Sequence, residues 1–450
     1  MEPNAAAPSA PSTSGDRSAD TRLVLRGARW PGDLAIADGR ITAVGDVPAE
    51  PGDEVLRVDG DILTPGFVNT HHHLYQWLTR GWATGCDLFT WLTTLYPVWA
   101  RIEVDDVAAA ARVGLAELLR SGCTTAADHH YLVPRGDDTV FDALAEAALG
   151  LGIRLHLARG SMDLGRSDGG LPPDHVVEDL DAIIASTERV ADRWHDGDRI
   201  HVTVAPCSPF SVTPALMRAS AEVARARGLK LHTHLVETTD EIDDCLARFG
   251  KRPLEVLEGL GWVADDVWYA HGIHFDDAEV ARLAAAGAGV AHCPSSNARL
   301  AAGMCRTADL TAAGVAVGLG VDGVASNEQG TLLPELRQAL FTARQREGRA
   351  DALTSHQALE LATVGGARCL GVDDIGRLEV GMKADVVTWP GQDLVDIADP
   401  IDGLVLGPDR RARHVHVGGR QVVRDGDVVG FDLRAGYAEL GRRAARLRAG

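Results

Sequence analysis

Lysine is almost missing from these 450 residues: Lys230, Lys251 and Lys383 are the only three, and aromatic side chains make up 5%. Positive charge is short overall, with 44 Lys+Arg against 64 Asp+Glu and a formal charge of −20. That balance disfavours nucleic acid or an anionic membrane as partner. No apolar run approaches the ~18 residues that read as a membrane span, because Gly, Arg or Asp interrupts each one. The seven cysteines (86, 123, 207, 245, 293, 305 and 369) are odd in number and contain no CxxC pair. They make neither a disulfide framework nor a thiolate zinc finger, and a reducing cytoplasm is the expected setting. The first twenty residues lack a basic stretch followed by an apolar one, so no secretory signal is expected there. Their Pro, Ser and Ala read as a disordered tail over 1–20. HExxH, a GxSxG nucleophile elbow and the H-x-E with P-C-x-x-C pattern of cytidine-type deaminases are all absent.

What is present falls into two textures. Residues 21–64 hold short alternating runs (RLVLRGARW, LAIADGRITAVG, EVLRVDGDILTP) that read as small antiparallel strands. RLEVGMKADVVTWP and RARHVHVGGRQVVRDGDVVG repeat that texture in 376–450, which closes with a helical stretch. Together the two ends predict one small β-sandwich domain. Between them, over 65–375, helix, Gly turn and short apolar strand recur, as in VDDVAAAARVGLAELLRSG followed by CTTAADHH. Repeated βα units predict a parallel sheet, and the length suits eight of them. The expected class is therefore α/β, a (β/α)8 TIM-type barrel carrying the β-sandwich.

In such barrels the chemistry collects where strands end. The first strand runs into Asn69-Thr70-His71-His72-His73, and LKLHTHLVE ends at His234 with Glu237 three residues on. VWYAHG ends at His271, and AVGLGVDG at Asp322. Alternate residues of a strand share a face, so His71 and His73 can reach one cation while His72 points elsewhere. Imidazoles with a carboxylate suit a divalent ion such as zinc or Fe(II), with a place left open for water. His232, on the same face as His234 but deeper, has a weaker claim, as do His129 and His130 at the end of the second strand. Gly318, Gly320 and Gly323 satisfy G-x-G-x-x-G, yet no helix follows at once and no ribose-binding carboxylate stands between Leu336 and Arg346.

PGFVNTHHH, HLVE, YAHG and GVDG, in that order, resemble the amidohydrolase superfamily, in its branch of aromatic-base deaminases and triazine hydrolases. HHHLYQ, RGSMDLGRSDGGLPPD, APCSPFSVT, HGIHF, HCPSSN and VDGVASN are similar to the 8-oxoguanine deaminases within it. The likeness runs from the end of the tail through the flanking β domain and departs from the pattern at Val324. It implies His71, His73, His234 and Asp322 as metal ligands, with Glu237, His271 and Asp322 as the catalytic groups. It also implies Trp91 and Cys207 as substrate contacts; Gln76, just after the first ligand pair, and Tyr131, at the end of the second strand, are further candidates from their own positions. Members with two metals bridge them through a carboxylated lysine. Only Lys230 lies near a strand, deep in it, so one divalent ion, zinc ahead of Fe(II), is expected.

The implied reaction is hydrolytic deamination of a purine-like base, 8-oxoguanine and water giving urate and ammonia. Guanine, isocytosine, a pterin or a hydroxylated s-triazine are alternatives. Glu237 would move a proton from water to a ring nitrogen. The amide of Gln76 suits a lactam edge, and the indole of Trp91 suits stacking on a flat ring. Met162 to Pro173, rich in Gly and Asp, is expected as a mobile loop over the mouth. Partners are then a small heteroaromatic substrate and, from the family, further copies of the chain. A barrel reduced to a scaffold would have shed some of these groups, and all are present.

Overall fold

The computed structural model describes residues 21–449; the tail expected over 1–20 lies outside them. Eight parallel strands close into a barrel: β1 (Phe67–Asn69), β2 (Cys123–His130), β3 (Arg154–Ser161), β4 (Ile200–Pro206), β5 (Lys230–Leu235), β6 (Val267–His271), β7 (Gly289–His292) and β8 (Ala316–Leu319). Each pairs in parallel with its neighbours, and β8 returns to β1 through Leu319 and Asn69. All eight residues of both β2 and β3 are buried, as expected of strands covered on both faces.

Local sequence explains why these units form. The helix Val104–Arg120 opens on a capping box between Glu103 and Asp106 and stops at Ser121-Gly122. Gly122, at φ +83°, makes the left-handed turn into β2, and a Cβ there would meet the Trp389 ring at 2.5 Å. The helix buries Val107, Ala110, Ala111, Leu115 and Leu118, a stripe at helical spacing.

The chain ends build two sheets. One holds Leu23–Arg26, Asp33–Ala37, Arg40–Gly45 and Glu54–Arg57; the other joins Ile62–Pro65 to Val386–Trp389, His414–Val417, Arg420–Arg424 and Asp427–Val428. Leu23, Leu25, Leu34, Ile36, Leu63 and Val386 pack in one core between them. One detail differs from the sequence reading. Leu23–Arg26 pairs with Glu54–Arg57 in parallel, because the chain crosses back over the Asp33–Gly45 hairpin before rejoining the sheet.

The sandwich docks at the end of the barrel where strands begin. Arg154, the first residue of β3, forms a buried ion pair with Asp385 at 3.1 Å. Trp389 packs on Phe67 with ring centroids 5.3 Å apart. The opposite end, where the strands finish, stays free for a site. Among the described residues no helix is long and apolar enough to cross a membrane.

Candidate active site

The strand ends converge. Nε2 of His73 lies 3.2 Å from Nε2 of His234. Asp322 places Oδ1 at 3.4 Å from Nε2 of His71 and 3.2 Å from Nε2 of His73. A tetrahedral ion with ~2.1 Å bonds has donors about 3.4 Å apart, so these separations are those of ligands around one centre. Nε2 of His71 is buried and has no hydrogen-bond partner among the described residues. The set fits a divalent cation.

The back of each ring is tied down in a way that leaves Nε2 bare. Nδ1 of His73 donates to the His129 carbonyl at 2.7 Å, and Nδ1 of His234 to the Cys207 carbonyl at 2.6 Å. His71 donates through Nδ1 to Nε2 of His232 at 2.8 Å, and His232 donates onward to the Trp268 carbonyl at 2.9 Å. Such outer hydrogen bonds fix tautomer and ring orientation. His232 is therefore a support for His71, not one of the converging donors. His129 belongs to the same tight group as His71, His73 and His234, with its Nε2 given to the Ala205 carbonyl at 2.8 Å. His130 packs edge-on against Tyr75 and Phe141.

Electrostatics separate the carboxyls. Burial, reinforced by the charge of Asp322, pushes Glu237 up to about 8. Burial also opposes ionisation of Asp322, but the imidazoles of His71 and His73 outweigh it and hold Asp322 well below the usual range. His71 and His234 are driven well below their ordinary value by burial first. His73 goes the other way: burial opposes its charge, but Asp322 outweighs burial and raises His73 above its ordinary value. A cation would displace that proton, since bound imidazoles are neutral and a bound carboxylate is ionised. His271 sets Nε2 at 3.5 Å from Oε2 of Glu237 and donates through Nδ1 to Oδ1 of Asn297 at 2.9 Å.

Backbone strain gathers here as well. Val236, His271 and Asp322, none of them glycine, take φ of +47°, +72° and +57°. Each such residue costs ~1–3 kcal/mol and persists only where its surroundings enforce it.

A cleft of about 520 Å³, mouth included, opens beside the donors. Gln76, Trp91, Tyr131 and Cys207 all line it, together with Glu237, His271 and Asp322. Leu88, Leu92, Phe210 and Leu300 add apolar walls. Trp91 donates its indole N–H to the Ala325 carbonyl at 3.1 Å, which locks the ring. Val324 is fully buried and away from the cleft lining. The segment after β3 lies at the rim, where Gly169 and Leu171 share a groove with Phe89 and Phe210. Lys230 stands at the start of β5, its Nζ donating to the Asp265 carbonyl.

The three glycines of the G-x-G-x-x-G run serve close packing. A Cβ at Gly318 would meet Thr70 at 2.5 Å, at Gly320 the Cβ of His71 at 2.8 Å, and at Gly323 the Gln76 amide at 1.8 Å. Sequence reasoning missed Ser296, which donates to Oδ2 of Asp322 at 2.6 Å, Asn297 behind His271, and Glu241 in the cleft wall. The signal existed: Pro294-Ser295-Ser296-Asn297 opens a helix directly after β7, at the end of the barrel where sites form.

Comparison with known proteins identifies the family. The amidohydrolase family pattern matches residues 62–422. The chain belongs to the amidohydrolase family. An 8-oxoguanine deaminase of Pseudomonas aeruginosa is 49% identical over 429 residues, covering 93% of this chain and 95% of the relative. An isoxanthopterin deaminase from an unknown prokaryotic organism is 37% identical, covering 93% and 92%. Among solved structures, atrazine chlorohydrolase of Arthrobacter aurescens TC1 in complex with zinc superposes with a TM-score of 0.89 at 31% identity, covering 94% of this chain and all of that one. This amidohydrolase is a hydrolase of carbon–nitrogen bonds with deaminase relatives, and its buried histidines and aspartate are built for a divalent metal.

Proposed function

We propose that this amidohydrolase deaminates a 2-amino-oxo heteroaromatic base, with 8-oxoguanine and water giving urate and ammonia as its main reaction. The observation carrying this reading is the Glu237–His271 pair, 3.5 Å apart, in a cleft walled by Trp91 and edged by Gln76, beside Asp322 in contact with His71 and His73 and His73 in contact with His234. The 49% identity to an 8-oxoguanine deaminase supports the choice of ring.

His71, His73, His234 and Asp322 would hold one zinc ion. Bound there, it would supply Lewis acidity and a water acidified from 15.7 to roughly 7. The chain's own groups do the rest. Glu237 accepts a proton from the attacking water and passes it to the ring nitrogen next to the amino-bearing carbon. Its raised proton affinity suits a group that must take and release a proton near neutrality. His271, kept neutral with Nε2 as acceptor, orients the water and relays a second proton to the leaving ammonia. Atoms balance: the carbon gains oxygen and loses nitrogen, and both water protons leave on ammonia and the ring, which tautomerises. Trp91 stacks on the ring, and Cys207 and Tyr131 border it.

Ammonia release and ultraviolet spectra with 8-oxoguanine, guanine, isocytosine, a pterin and a hydroxylated triazine decide among substrates. Failure to turn over 8-oxoguanine alongside rapid hydrolysis of a triazine would sink the specific claim. Glu237→Gln should lower kcat ~10²–10⁴-fold with the metal retained.

A further inference from the structure

Two polar side chains of the cleft, Gln76 and Tyr131, meet behind it at a third that is no part of the lining. Tyr75 is fully buried; its hydroxyl lies 2.8 Å from the Tyr131 hydroxyl and 3.5 Å from Nε2 of Gln76. The Tyr75 ring cannot turn away, being held edge-on by Trp99 and His130 at centroid distances of 5.3 and 5.5 Å.

Proton accounting fixes the direction of this chain. The Gln76 amide nitrogen can only donate, so the Tyr75 oxygen accepts from it. The single proton of Tyr75, enclosed away from water, goes to the Tyr131 oxygen. The Tyr131 proton then points away from Tyr75, into the cleft that Tyr131 lines. With its nitrogen turned toward Tyr75, Gln76 has Oε1 left over as the free acceptor of a side chain that lines the cleft; it is buried and without a partner among the described residues. The amide lies close against Gly323, whose lack of a side chain gives it room: a Cβ there would come within 1.8 Å of that oxygen.

We infer that Tyr75 is a positioning residue that fixes the cleft edge as one acceptor, Oε1 of Gln76, and one donor, the Tyr131 hydroxyl, and so selects rings presenting a cis-lactam edge. A lactam offers N–H beside C=O, the complement of that pair. In 2-amino-oxo rings the lactam N–H is bonded to the amino-bearing carbon, so reading this edge places the reacting carbon. An adenine-type ring has its donor outside the ring and its acceptor in it, so turning the ring over to match the edge sets the amino-bearing carbon between the two contacts instead of beyond a ring N–H. A freely turning Tyr131 hydroxyl could serve either pattern; Tyr75 removes that freedom. The inference rests on the proposed deaminase reading for its substrate, but its test does not.

The test uses the zinc-loaded full-length protein and two unreactive probes, hypoxanthine, which carries a lactam, and purine, which does not. By calorimetry the wild type should bind hypoxanthine more tightly, and Tyr75→Phe should erase about three- to tenfold of that preference while leaving purine affinity within about twofold. Tyr131→Phe should produce the same selective loss by removing the donor itself, which keeps the test intact if Tyr75→Phe does not fold. With 8-oxoguanine as substrate, Tyr75→Phe should raise KM by a similar factor and lower kcat by no more than that factor. No preference in the wild type, an unchanged preference in both variants, or equal losses for both probes would overturn the inference. A wild type that prefers hypoxanthine yet fails to deaminate any 2-amino-oxo ring would overturn the function reading and leave this one standing.

Discussion

Oδ1 of Asn297 sits 2.9 Å from Nδ1 of His271, and this one contact decides which nitrogen of His271 faces the cleft. With the proton held on Nδ1, Nε2 is left as a lone pair 3.5 Å from Glu237. Asn297→Ala should therefore lower kcat about 10- to 100-fold with little change in KM, because a supporting partner of that kind is worth that much. Asn297→Asp, which keeps the acceptor, should recover most of the loss. Steady-state kinetics on both variants, with metal content checked by emission spectroscopy, measure this.

His232 supports His71 from behind, and its removal should show in metal affinity first. His232→Ala leaves Nδ1 of His71 without its acceptor inside a closed core. Zinc affinity, followed by competition with a chelator, should fall ~10–100-fold. Activity at saturating zinc should fall less. An affinity equal to that of the wild type would contradict the supporting role.

Gly323→Ala tests how tightly the Gln76 edge is set. The new Cβ would overlap the Gln76 amide at 1.8 Å, so the amide must shift. Overpacking of this kind destabilises by ~1–3 kcal/mol, read by denaturant titration. KM for the ring should rise more than kcat falls, since Gln76 borders the substrate and not the water.

Glu241 gives a pH-dependent stability. It is buried beside the Glu237 backbone, whose N–H it accepts at 3.3 Å, and burial pushes it up to about 8. Its folded value lies above the ordinary 4.5, so the native state binds this proton more tightly than the unfolded chain. The resulting stabilisation is complete below about pH 4.5 and disappears as pH rises through about 8. Glu241→Gln should melt near the wild type in acid and above it at pH 8 to 9. Melting temperatures of the metal-free pair across that range give the comparison; parallel curves would contradict it.

The fold was readable because each level of the sequence agrees with the next. The helix Val104–Arg120, its Gly122 stop and the buried run Cys123–His130 repeat a unit that closes only as a barrel. The parallel pairing of Leu23–Arg26 with Glu54–Arg57 was not readable, because period-2 patterning is the same whichever way a neighbour runs. Within the site, the residues at strand ends could be named, since their side-chain types announce metal and proton chemistry. Ser296 and Asn297 were marked only by their place after β7, and Tyr75 by nothing: a serine, an asparagine and a tyrosine acquire their roles from the atom they happen to face.

By itself, the sequence determined the barrel, the two-ended β domain, the family and the set of histidines and carboxyls at the strand ends. Those follow from local pattern and side-chain chemistry, which the chain carries wherever it goes. Only the tertiary structure decided which nitrogen each imidazole turns to the centre and which way protons run through Tyr75. The partners that settle these questions are backbone carbonyls of His129, Cys207 and Trp268 and side chains far away in sequence. Hydrogen bonds of a few ångströms have no signature until folding brings their two ends together.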